Sequence, residues 1–110
     1  MTTLLVVMTN PVEGREDEYN EWYTHQHLAD VLAVEGFVAA QRFEFQESPL
    51  SRKPPAKYLA IYEVEDDKRE QAEKILLEVA TTDKMPISDA MDPKSLKWWF
   101  SSICDKQTAG

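Results

Sequence analysis

The chain is 110 residues long, 43% hydrophobic and 29% charged, which is the size and composition of one soluble globular domain. Twelve Lys and Arg stand against twenty Asp and Glu, and the resulting charge of −8 argues against nucleic acid or a membrane surface as partner, because both are anionic. A single cysteine, Cys104, excludes an internal disulfide and a cysteine-held zinc or iron–sulfur centre, so any metal would depend on His and carboxylate ligands.

Thr3–Thr9 (TLLVVMT) reads as a strand with apolar residues on both faces, stopped by the turn-forming pair Asn10-Pro11. Its apolar run is far shorter than the roughly 20 residues of a bilayer span, and no basic leader precedes it, so the expected location is the cytoplasm. Arg15–His27 shows the helical period through Tyr19, Trp22, Tyr23 and Gln26, with Glu16, Asp17 and Glu18 in the first turn, where the macrodipole favours acids. Leu28–Val34 either extends this helix or forms a separate turn before Gly36. Phe37–Gln46 alternates, with Phe37, Ala39, Gln41, Phe43 and Phe45 expected on one face and Val38, Ala40, Arg42 and Glu44 on the other. The proline-rich stretch Glu47–Lys57 reads as a loop, followed by a strand over Tyr58–Glu65 that pairs antiparallel with the one before it. Asp66–Ala80 is predicted as a second helix with Ala72, Ile75, Leu76 and Val79 as its apolar stripe. Thr81–Pro93 is expected to be irregular, Lys94–Cys104 to be the last strand, and Asp105–Gly110 to be a loose tail.

This order is the βαββαβ pattern of the ferredoxin-like α+β fold, an antiparallel four-stranded sheet with both helices on one face, in a single domain spanning residues 1–110. The other face would be bare, yet the first strand is apolar on both sides and Trp98 and Trp99 point in opposite directions. A second copy packed face to face covers it most economically, so a homodimer, a dimeric α+β barrel, is expected.

One stretch carries a family likeness. Asn10-Pro11, Glu13-Gly14, Glu18-Tyr19-Asn20-Glu21-Trp22-Tyr23, His27-Leu28, Asp30-Val31-Leu32, Gly36-Phe37 and Gln41-Arg42-Phe43 together resemble the EthD-like branch of the dimeric α+β barrel superfamily. In that branch a Trp-Tyr pair is followed after a few residues by His-Leu-Pro-Asp; here Ala29 replaces the proline, which lets the helix run further and turns His27 slightly. The likeness is specific for the fold and weak for the reaction, because the superfamily includes isomerases, decarboxylases, cyclases, monooxygenases, haem enzymes and proteins with no known activity.

Histidine is the side chain that titrates unaided near neutral pH. On an ideal helix Tyr19, Tyr23 and Asp30 lie within about 40° of one another, His27 borders that face and His25 points away, so the two histidines do not chelate one metal ion. His27 is therefore the candidate acid or base, or else a histidine at the edge of the core. Tyr23, one turn earlier, could share a substrate oxygen with the imidazole, and Asp30 could orient the ring or cap the next helical turn. Tyr19 and Trp22 could wall a site for a planar ligand or simply pack the core. Arg42 could bind a carboxylate or phenolate, although a structural pair with Glu44 or Glu63 is the favoured reading. Cys104 has no activating neighbour, and the basic cluster Arg52, Lys53 and Lys57 could draw in anions or be merely solvated. No phosphate loop or dinucleotide fingerprint occurs, so no cofactor is expected. The sequence thus suggests a cofactor-free lyase, cyclase or isomerase acting on an aromatic or polyketide-like carbonyl compound, with a hydrophobic-ligand carrier and a monooxygenase or haem protein as alternatives.

Overall fold

A computed structural model describes residues 1–110. Its elements are β1 (Thr3–Thr9), α1 (Glu16–Trp22), a π-helical turn (Tyr23–His27), α2 (Leu28–Leu32), β2 (Phe37–Glu44), β3 (Tyr58–Val64), a 3-10 turn (Asp66–Lys68), α3 (Arg69–Val79) and β4 (Leu96–Ser101). The strands form one antiparallel sheet in the order β2-β3-β1-β4, so the first and third strands are central and the second and fourth are edges. This is the predicted α+β ferredoxin-like arrangement.

Alternation along the two central strands decides which side chains meet the helices. On β1, Thr3, Leu5, Val7 and Thr9 are buried and Leu4, Val6 and Met8 are half-buried; on β3, Tyr58, Ala60, Tyr62 and Val64 are buried. Tyr19, Tyr23 and Val31 from the first helical stretch and Ala72 from α3 close over this face as one core. The opposite face keeps its apolar character without a cover: Leu4, Val6 and Met8 lie opposite Phe100, Trp98 and Leu96, and Phe100 is 55% and Trp98 39% exposed. A strand buried on both sides is therefore realised on its helix side alone within one chain.

Several expectations are corrected. The faces of β2 are not constant, because the register shifts between Phe37 and Ala39. This bulge turns Phe37 toward the helices, opposite Val64, while Ala39, Gln41 and Phe43 follow Glu63, Ile61 and Leu59 on the outer face. Arg42, opposite the buried Ala60, stays under the helices. The second helix opens with a 3-10 turn, and β4 ends at Ser101, leaving Cys104 beyond it and exposed. Residues 81–93 contain no helix or strand, yet they are anchored: Met85 pairs as an isolated bridge with Ala80, Met91 pairs with Pro11, and Met85 and Ala90 are fully buried. Gly36 is required at its turn, since its φ is +104° and a Cβ there would lie 3.1 Å from Ala72 Cβ. No helix is long and apolar enough to cross a membrane.

Candidate functional site

The first helical stretch runs from Glu16 to Leu32 without a break, but its middle turn is π-helical, with the Leu28 N–H donating to the Tyr23 carbonyl five residues back. A π turn widens the helix by one residue and is frequently found at functional sites. Here it carries Tyr23 and His27 on the side facing the sheet.

Both residues line a cavity of about 300 Å³ enclosed by β1, β3, the π turn, α3 and the anchored 81–93 segment. Half of its sixteen lining residues are Leu, Val, Ile, Ala or Met, among them Leu5, Leu76, Met85 and Ile87, so the walls suit an apolar ligand. The polar groups are few: Tyr23, Tyr62, Thr9, His27, and Ser95 and Lys97 near the start of β4, together with Thr81. Thr81 is a β-branched residue at φ +67°, a strained conformation of the kind that collects around functional sites. A larger groove of about 740 Å³ lies on the outer sheet face between Leu4, Ile61, Phe43 and the tail residues Cys104–Gln107, but it contains no His or Tyr. The titratable groups of that groove are Glu63, Cys104, Asp105 and Lys106, whereas the histidine and the buried tyrosine pair meet in the smaller cavity.

The His27 ring stacks on Trp22 at 4.7 Å between centroids and stands edge-on to Tyr23 at 4.9 Å. Its Nδ1 is buried with no partner, which leaves Nε2 as the nitrogen available to a ligand. Burial takes the imidazole from its ordinary 6.5 down to about 4; the Asp30 carboxylate opposes this, and the cations of Lys97 and Arg42 add to it. His27 is therefore neutral at pH 7. An unpaired buried N–H is costlier than a bare acceptor nitrogen, so the proton belongs on Nε2, making the imidazole a neutral hydrogen-bond donor.

Tyr62 donates to the Tyr23 hydroxyl at 3.2 Å in the buried interior. Desolvation raises both phenols, Tyr23 to about 12 and Tyr62 further, so both keep their protons. Two hydroxyl hydrogens share one mutual bond, and whichever way the pair is oriented, one hydrogen has no protein acceptor.

Of the other residues singled out from sequence, Tyr19 is wholly buried, hydrogen-bonded to Thr9, and does not line the cavity. Trp22 does not line the cavity but stacks on His27 and stands edge-on to Tyr23 at 5.4 Å between centroids. Asp30 makes neither of the contacts considered for it: its Oδ2 is buried without a partner and no side chain caps α2. Arg42 pairs with neither Glu44 nor Glu63. It donates to Asn20 Oδ1 and Thr24 Oγ1, each at 2.9 Å, and its guanidinium lies 4.5 Å from the Tyr23 ring centroid and just over 5 Å from those of Tyr19 and Tyr58. It thus backs the tyrosine wall from outside the cavity. His25 is exposed, 3.6 Å from Glu21, and does not converge with His27. Lys57 joins Glu16, which also accepts from Tyr58, on the surface. Sequence reasoning missed Tyr62 and Lys97 as site residues; the available signal was the parity of Tyr62 with the buried Tyr58 and Ala60 on β3 and of Lys97 with the half-buried Trp99 on β4.

Three solved structures superpose over nearly the whole chain. The haem-degrader MhuD from Mycobacterium tuberculosis, with two haems bound in its active site, is 16% identical, with a TM-score of 0.64 and coverage of 96% of this chain and 99% of its own. An ethyl tert-butyl ether D (EthD) family protein from Bacillus halodurans is 12% identical, with a TM-score of 0.54 and coverage of 94% and 100%. This chain shares their ferredoxin-like α+β fold. HapK from Hahella chejuensis adds a third case at 14% identity, a TM-score of 0.52 and full coverage of both chains. At these identities the likeness to the barrel proteins establishes the fold alone. No protein-family model and no curated protein matches the sequence.

Proposed function

We propose that the protein is a small cofactor-independent enzyme that stabilises a developing oxyanion on an aromatic or polyketide-like carbonyl compound, in a lyase (decarboxylation), cyclisation or isomerisation reaction. The observation that carries this reading is the pairing, on one cavity wall, of a neutral His27 with the proton-bearing Tyr23–Tyr62 pair. A neutral imidazole polarises a carbonyl as a donor and need not shed a proton first, a pattern known from other enzymes. In a decarboxylation the bond to the carboxyl carbon breaks, carbon dioxide leaves, the electron pair is delocalised through the adjacent carbon onto the carbonyl oxygen, and the enolate oxygen receives hydrogen bonds from His27 Nε2 and Tyr23. Water then supplies a proton to carbon and the carbonyl re-forms. Trp22 holds the imidazole plane by stacking, and Arg42 supports Tyr23 from behind. The ring donors act in a water-poor cavity, where such stabilisation is largest.

The working unit in this proposal is a homodimer joined through the apolar outer sheet face, since that face is too hydrophobic to remain in water. An acidic chain with one unpaired cysteine also suits the reducing cytoplasm. A second reading, a non-catalytic carrier, draws on the aliphatic side chains that make up half of the lining. Turnover decides between them. A panel of β-keto acids and cyclisable polyketide-like carbonyl compounds, followed by chromatography and mass spectrometry, should reveal product formation that falls by about 10² or more in His27→Gln and Tyr23→Phe while the fold is retained. Unchanged turnover in both variants sinks the catalytic reading, and ligand retention without product favours the carrier.

A further inference from the structure

The cavity has a surplus of hydrogen-bond donors and no acid. His27 Nε2 has no partner in the protein, the Tyr23–Tyr62 pair leaves one hydroxyl hydrogen unclaimed, and the Lys97 ammonium spends one of its three N–H groups on Ser95 Oγ at 2.5 Å. The chain carries twenty Asp and Glu, yet none lines this cavity. Lys97 makes no ion pair, as is true of most of the twelve Lys and Arg, but it is the cation that lines this cavity. An anion with acceptor atoms would find at this acid-free, donor-lined cavity both a cation at its rim and free hydrogen-bond donors inside.

We infer that the ligand of this cavity is a small organic acid bound as its monoanion, with Lys97 as the charge partner of the carboxylate and the apolar walls holding the carbon skeleton. The inference rests on the reading of the cavity as the ligand site and adds to it the charge class of the ligand and a specificity-determining residue. Size narrows it further: about 300 Å³ is at the lower end of ligand pockets, enough for one or two rings and a short chain. Lys97 lies opposite Val7 in the sheet, on the helix-facing side of an edge strand, so its head group stays near solvent while its methylene stem borders the apolar wall. The carboxylate is thereby held toward solvent, and the far end of the molecule reaches toward His27 and Tyr23.

The test uses two isosteric probes, 2-naphthoate and 2-naphthamide, titrated into the full-length protein and followed by His27 and Tyr23 ring NMR shifts and by calorimetry. The expected result is that the acid binds about tenfold more tightly than the amide, that high salt narrows this gap, and that Lys97→Met abolishes it while Lys97→Arg keeps it. Lys97 is exposed, so neither variant should alter thermal unfolding, which a melting curve verifies. Equal affinity for acid and amide, or an undiminished preference in Lys97→Met, overturns the anion assignment and leaves the cavity reading in place. Binding of neither probe, or binding that moves neither ring signal, overturns both.

Discussion

Lowering the pH should destabilise this protein through His27 specifically. The imidazole titrates near its ordinary 6.5 when unfolded and at about 4 when folded, because burial penalises its charged form. The unfolded chain therefore binds the proton first, and stability that is fully present above pH 6.5 is lost as pH falls toward 4. At about 1.36 kcal/mol per pH unit, the loss relative to pH 7 reaches about 2 kcal/mol at pH 5 and about 3 kcal/mol at pH 4. That is a substantial part of the roughly 5–15 kcal/mol that holds a domain folded. The assay is urea denaturation of wild type and His27→Gln at pH 7.5, 6, 5 and 4, at one protein concentration so that association contributes equally. Glutamine keeps a neutral polar group but does not titrate, so the difference between the two curves isolates His27 from the carboxylates. The wild type should lose about 3 kcal/mol more than the variant between the extremes. Parallel curves would refute the reasoning, since they would mean that the folded imidazole protonates as easily as the unfolded one.

Three further outcomes follow from particular contacts. Arg42→Met removes two side-chain hydrogen bonds and the stacking on three tyrosine rings, and should cost about 2 kcal/mol by chemical denaturation; Arg42→Lys should rescue little, because an ammonium cannot span Asn20 and Thr24 together. Gly36→Ala forces a Cβ into a left-handed backbone and to within 3.1 Å of Ala72, and should lower the melting temperature by several degrees, about 1–3 kcal/mol. Trp98→Glu places a charge at the centre of the outer apolar face, and sedimentation should show the proposed homodimer dissociating with the monomer still folded; an unchanged sedimentation coefficient would remove that interface.

The helix positions of Tyr19, Trp22, Tyr23 and Val31 and the alternation of β1 and β3 follow from local spacing, which is why the element order and the fold could be read from residues alone. The π turn could not, because it only moves the acceptor from the fourth to the fifth preceding residue over one turn, too short a stretch to stand out in the apolar spacing. The bulge in β2 was hidden for a related reason: one extra residue reverses the faces of a strand, and only pairing with β3 reveals where it falls. The role of Arg42 was misjudged from its strand neighbours Glu44 and Glu63, because its partners come from a helix some twenty residues earlier.

The sequence by itself determined the secondary elements, the ferredoxin-like order, the apolar excess of the sheet and the presence of a Tyr–His pair one turn apart. These are properties of neighbours along the chain. Tertiary structure alone decided that His27 is desolvated and neutral, that Tyr62 meets Tyr23, that residues 81–93 close the cavity and that Lys97 stands unpaired beside it. Burial, pKa and charge balance depend on which distant segments exclude water from a point in space, and periodicity carries no record of that.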